Sequence, residues 1–74
     1  MANNFDMIPV QSSNVTSIGY NEETETLRVA FQSGSIYEYY NVPPPIFEQF
    51  KSAPSIGSYL NRNIKGFYPY QRVG

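Results

Sequence analysis

Apolar and polar residues alternate at every second position through the first half of the chain. They recur at every third and fourth position through the second, and the change falls near residue 42. A period of two is the signature of half-buried strands, and a period near 3.6 that of helices packed by one face. Three strands are predicted before the change. In "VTSIGYN" (15–21), Thr16, Ile18 and Tyr20 share one face, with Val15, Ser17 and Gly19 on the other. In "TLRVAF" (26–31), Leu27, Val29 and Phe31 alternate with Thr26, Arg28 and Ala30. In "SIYEYY" (35–40), alternation alone leaves open whether Tyr37 and Tyr39 or Ile36, Glu38 and Tyr40 face inward.

The turn between the last two strands decides. Gln32-Ser33-Gly34 fits a three-residue hairpin loop with glycine in the left-handed position. That loop pairs Phe31 with Ser35, Val29 with Tyr37, and Leu27 with Tyr39. It also sets Arg28 across from Glu38 on the opposite face, a favourable cross-strand pair. A one-residue slip would bring Glu38 onto the apolar face beside Val29, which is costly. Tyr37 and Tyr39 are therefore expected inward, and Ile36 and Tyr40 outward. The N-terminal apolar residues Phe5, Met7, Ile8 and Val10 are available to cover that outer face. Across the polar loop "NEETET", pairing Tyr20 with Leu27 and Ile18 with Val29 completes a three-stranded antiparallel meander.

Two short helices follow. A proline suits the first helical turn, whose missing N–H would have no partner anyway. Pro44 or Pro45 therefore starts a helix carrying Ile46, Phe47, Phe50 and Ala53, with 46, 50 and 53 on one face, and Pro54 stops it. Ser55 is a good N-cap for the second helix, and Gly66 a plausible stop. Its apolar stripe is Ile56, Tyr59 or Leu60, and Ile64. Gly57 in its first turn hints at a close neighbour. The tail "FYPYQRVG" is expected along a sheet edge, since Pro69 argues against a central strand. The predicted fold is α+β: a three-stranded antiparallel meander followed by two short helices packed on one face.

At 74 residues the chain has room for one domain, 1–74. It has neither Cys nor His, which excludes disulfides and any thiolate or imidazole metal site; no cofactor is expected. General acid–base or nucleophilic catalysis needs a positioned constellation that is not visible here, so the chain reads as non-enzymatic. No apolar run reaches the length of a membrane span, and "MANNFDMIPV" lacks the basic start of a signal peptide. A cytoplasmic protein without a membrane partner is expected.

Net charge is −1, but it is unevenly spread. Residues 1–48 hold all six acids and one base, Arg28; residues 49–74 hold Lys51, Arg62, Lys65 and Arg72 and no acid. The same basic third carries Tyr59, Asn61, Tyr68 and Tyr70. Rings that stack bases beside cations that follow phosphates are the equipment of single-stranded RNA modules. Lys51, Tyr59, Asn61, Arg62, Lys65, Tyr68, Tyr70 and Arg72 are thus the candidate RNA-binding residues. The competing role for them is structural, with Tyr59 in the core and the cations at a helix end. A second functional class is protein interaction or self-association, through Tyr40, Ile36 and the proline run 43–45.

The stretches "VQSSNVTSIGYN", "LRVAFQSGSIYEYYNVP" and "APSIGSYLNRNIKGFY" resemble the KTSC domain, a short bacterial domain found alone and at the C-terminus of some lysyl-tRNA synthetases. The resemblance covers residues 10 to about 70. Its most specific part is Tyr37-Glu38-Tyr39 followed by Val42-Pro43; Ser55, Gly57, Tyr59, Leu60 and Asn61 also match. Position 60 is often aromatic in the family and is Leu here. With no further domain after Arg72, the chain resembles the stand-alone form. The resemblance implies structural roles for Tyr37, Tyr39, Val42, Pro43, Ser55 and Gly57. It implies no catalytic residues, and an RNA partner, tRNA or single-stranded, through the association with a synthetase.

Overall fold

The computed structural model describes residues 5–74. Its five strands form one antiparallel sheet in sequence order: β1 (Ile8–Pro9), β2 (Val15–Asn21), β3 (Thr26–Phe31), β4 (Ile36–Tyr39) and β5 (Tyr70–Arg72). Helix α1 (Pro44–Lys51) and helix α2 (Ile56–Tyr59) lie between β4 and β5, and α2 continues into a π-helical turn over Leu60–Ile64. The meander expected from the sequence is therefore the centre of a five-stranded sheet. The two added strands are edges of two and three residues containing or following a proline, too short for alternation to register.

The central register is set by the hairpin chemistry. Leu27 pairs with Tyr39, Arg28 with Glu38 and Val29 with Tyr37, and Gly34 takes φ +97° in the loop. On the other side, Ile18 pairs with Val29 and Tyr20 with Leu27. Asn21 caps the β2–β3 turn by accepting from Glu23 N at 3.0 Å, and Glu25 closes that turn at φ +52°. A bulge between Val15 and Ser17 departs from simple alternation. The extra residue, Thr16, is left exposed, and both Val15 and Ile18 reach the core.

The core lies between one sheet face and the helices. Val15, Ile18, Leu27, Val29 and Tyr39 from the sheet meet Val42, Phe47, Phe50, Ile56, Leu60 and Ile64. Helix α1 starts at Pro44 with extended Pro43 before it, and it buries Phe47 and Phe50; Ile46 and Ala53 are only half-buried. Tyr20 stacks on Phe47 at 4.9 Å and donates its hydroxyl to the Val42 carbonyl, tying β2 to the entry of α1. Ser55 caps α2 by accepting from Ser58 N at 3.3 Å. Gly57 faces the loop before β2, its nearest neighbour being Asn14 Nδ2. Ile56, Leu60 and Ile64 are spaced by four, which drifts around an α-helix. The wider i→i+5 turn, closed by Lys65 N to the Leu60 carbonyl at 2.8 Å, drifts the other way and keeps the three in line.

The outer sheet face is only partly as expected. Phe5 and Met7 lie over Gly19, where a side chain would meet Met7 Sδ at 2.6 Å, and the Arg28 guanidinium sits 4.2 Å from the Phe5 ring centre. Ile36 is covered from the other end of the chain, by Gly74. Arg28 reaches Glu38 at 2.6 Å, and the Tyr40 hydroxyl donates to the second Glu38 oxygen at 3.2 Å. The Tyr40 phenol is pushed up by burial and by that bond to Glu38.

Candidate nucleic-acid interface

Strand β4 has one short neighbour, β5, and the helices do not cover the sheet as far as this edge. The inward residues from the Gly34 turn along β4 to Tyr39 therefore border an open cleft of about 540 Å³. Its aromatic wall is a row. Phe31 meets Tyr37 edge-on at 5.6 Å, Tyr37 meets Tyr70 at 5.8 Å, and Tyr70 meets Tyr39 at 5.7 Å. Register explains the row: Tyr70 pairs with Tyr39 across β4–β5, and Val29 pairs with Tyr37 across β3–β4. Ser33, Ser35 and Gly66 complete the lining. Lys65 brings its ammonium to 5.8 Å from the Phe31 ring, within cation–π range. Tyr39 is 2 % exposed, whereas Tyr70 is 60 % exposed and offers a ring face to solvent. Burial raises the Tyr39 phenol, with the neighbouring Tyr37 and Tyr70 adding to the shift, so it stays a neutral hydroxyl at physiological pH.

Among the described residues, no carboxylate lines the cleft. Glu22, Glu23 and Glu25 sit in the turn before β3, at the far end of that strand from Phe31. Five residue steps of strand put them about 17 Å from Phe31, whereas the Tyr39–Tyr70 end of the cleft lies level with Leu27, two residues from Glu25. Glu38 is on the outer face with Arg28.

The structure divides the eight residues singled out from sequence. Lys65 and Tyr70 line the cleft. Arg72 stands across from Tyr37 in register but outside the lining, with its Nε donating to the Gly74 carbonyl at 2.9 Å. Tyr59 stacks on Phe50 and donates to Gln49 Oε1 at 3.0 Å, and Tyr68 packs against the core; both are half-buried. Asn61 and Arg62 border a separate polar groove of about 460 Å³ with Ser12, Asn14, Ser55 and Gly57. Lys51 lies on α1, paired with Glu48 at 3.2 Å. The eight thus do not make one surface, because the helical turn separates Arg62 from Lys65. Phe31, Ser33 and Ser35 were not among the eight, and Tyr37 and Tyr39 carried a structural expectation. The signal that could have found them was the hairpin register, which already aligned Phe31, Tyr37 and Tyr39 on one face.

A model of the KTSC domain family matches residues 11–68. The chain belongs to the KTSC domain family. The crystal structure of a KTSC domain protein from Yersinia pestis superposes with a TM-score of 0.93 at 32 % identity, covering 96 % of this chain and all of that one. A lysine–tRNA ligase of Nostoc punctiforme is 36 % identical over 69 residues, which is 93 % of this chain but 12 % of the ligase. An uncharacterized protein of Stutzerimonas stutzeri is 37 % identical over 67 residues and is matched over 94 % of its length. The KTSC domain thus occurs both within synthetase chains and as nearly the whole of a small one. Among the described residues of this chain, no helix is long and apolar enough to cross a membrane.

Proposed function

We propose that this KTSC domain is a non-enzymatic binding module whose tyrosine cleft takes single-stranded RNA. The observation that carries the reading is the conjunction, in one carboxylate-free cleft, of an exposed ring face on Tyr70, a row of aromatic neighbours and the Lys65 ammonium. Aromatic faces bind bases of any sequence by stacking, and cations at the rim hold the phosphates. With Glu38 turned to the outer face and Lys65 in the lining, a chain of net charge −1 presents a locally favourable site at the Phe31 end of the cleft. The occurrence of the domain in lysine–tRNA ligases supports an RNA partner by analogy.

A protein partner is the second reading, and Phe67 favours it. Its ring is 66 % exposed just before the edge strand, and exposed aromatics are typical anchors of protein interfaces.

Fluorescence anisotropy with labelled unstructured RNA and with total tRNA, at low and near-physiological salt, tests the proposal. The native chain should bind and lose affinity with salt. Lys65→Ala should weaken binding and flatten the salt dependence by about 0.7 in log–log slope, the share of one phosphate contact on a single strand. Arg62→Ala, in the separate groove, should change neither. No binding at low salt, or an Arg62→Ala loss as large as that of Lys65→Ala, would overturn the assignment.

A further inference from the structure

The same cleft carries a narrower statement, which rests on the RNA reading. We infer that it accepts one unpaired nucleotide at a time, such as a bulged or terminal residue, and does not track along a strand. The geometry of the rings is the reason. Tyr39 is 2 % exposed and has no face left to offer. Tyr37 is half-buried, held edge-on to Phe31 at an interplanar angle of 88°. Phe31 has the Lys65 ammonium over its ring. Tyr70 alone in the row is predominantly exposed. Its plane is tilted by 40° from Tyr37 and by 36° from Tyr39. Successive bases need successive free faces, as in modules where two or three rings each stack one base. Among the rings that line this cleft a second base would find neither a free one nor a coplanar one, and the exposed Phe67 lies outside the lining.

The cations tell the same story. Among the described residues, Lys65 is the single charged one lining the cleft, and Arg72, across from Tyr37 in register, is tied to the Gly74 carbonyl. A base stacked on Tyr70 would have the Ser33 and Ser35 hydroxyls within the same cleft for its edge, and Lys65 for its phosphate. One ring face and one lining cation define a one-nucleotide site. Each neutralised phosphate on a single strand contributes about −0.7 to the log–log salt slope. The site should therefore show a slope near −0.7, or near −1.4 if Arg72 leaves Gly74 to join it.

The test is an anisotropy series at low salt with labelled oligoadenylates: a dinucleotide, a tetranucleotide and a dodecanucleotide. A hairpin RNA with one bulged adenosine and the same hairpin fully paired complete the set. Affinity should rise only with the number of equivalent nucleotides, about threefold from the tetranucleotide to the dodecanucleotide. The bulged hairpin should bind like the short strands and the paired one at least tenfold more weakly. A rise of a hundredfold with length, or a salt slope steeper than about −3, would overturn the one-nucleotide site while leaving RNA binding intact. Failure of every RNA to bind would instead overturn the RNA reading itself, and this inference with it.

Discussion

Replacing Tyr70 by alanine removes the exposed ring face on which the functional reading depends. Its effect on folding should be small. Tyr70 is 60 % exposed on an edge strand, and its tilted contacts with Tyr37 and Tyr39, at 5.8 and 5.7 Å, are its aromatic neighbours. Aromatic pairs contribute about 0.5–1.5 kcal/mol each when well formed, and half-solvated ones fall at the low end. The stability loss should thus stay below about 2 kcal/mol. The effect on binding should be larger. Base–aromatic stacking is worth about 1–3 kcal/mol by alanine substitution. At about 1.4 kcal/mol per decade, Kd should rise between roughly 5-fold and 150-fold. Tyr70→Phe keeps the ring and should bind within about twofold of the native chain, because stacking uses the π-face and not the hydroxyl. Anisotropy with a short single-stranded RNA reads the affinities, and urea unfolding of the same samples reads the stabilities. A folded Tyr70→Ala chain that binds as tightly as the native one would refute the stacking argument. Equal losses for the alanine and phenylalanine variants would show that the ring face is not what the ligand uses.

Other consequences concern the fold. The Phe50 side chain is fully buried, so Phe50→Ala should cost about 3–5 kcal/mol; that matches the whole net stability of a core this small, and circular dichroism should show a largely unfolded chain. The Arg28–Glu38 pair is partly exposed, so a double-mutant cycle in urea should give a coupling of no more than about 1 kcal/mol, and a coupling near zero would mean the contact is fully screened. Glu25 holds φ +52°, which disfavours side chains, so Glu25→Gly should raise stability by about 0.5–1 kcal/mol, and a loss would show that the turn needs the carboxylate. The Tyr39 phenol is raised above its ordinary value by burial and then by Tyr37 and Tyr70. Its contribution is therefore present in full below the unfolded-chain value of about 10 and is lost as pH rises through the folded value. The urea midpoint should fall in that alkaline range, less steeply for Tyr39→Phe, and an equal fall in both would remove Tyr39 as the cause.

Legibility in the sequence followed physical constraint. The β3–β4 register was readable because Gly34 and the Arg28–Glu38 pair both penalise the alternative, and it held residue for residue. The edge strands were legible only in part: Pro69 assigned the tail to a sheet edge, where β5 lies, but the pairing of neither edge could be read. Ile8–Pro9 is too short to alternate, and Tyr70–Arg72 draws its pairing from β4, not from its own pattern. The bulge at Thr16 was hidden because alternation assumes an unbroken pleat. The π-helical turn was hidden because a spacing of four at Ile56, Leu60 and Ile64 looks the same in an α-helix. The site was half-legible for a related reason. Lys65 and Tyr70 stood out by type and charge, but Phe31, Tyr37 and Tyr39 read as core. Their apolar face becomes a cleft wall only where the helices stop short of the β4–β5 edge.

The most direct test of the cleft as the functional site is a map of amide chemical shifts during titration with a short single-stranded RNA. The largest changes should fall together on Phe31, Ser33, Ser35, Tyr37, Lys65, Gly66 and Tyr70, with α1 and the Arg62 groove quiet. Changes centred instead on Ser12, Asn14, Ser55 and Arg62, or on the outer-face residues Arg28 and Tyr40, would contradict it.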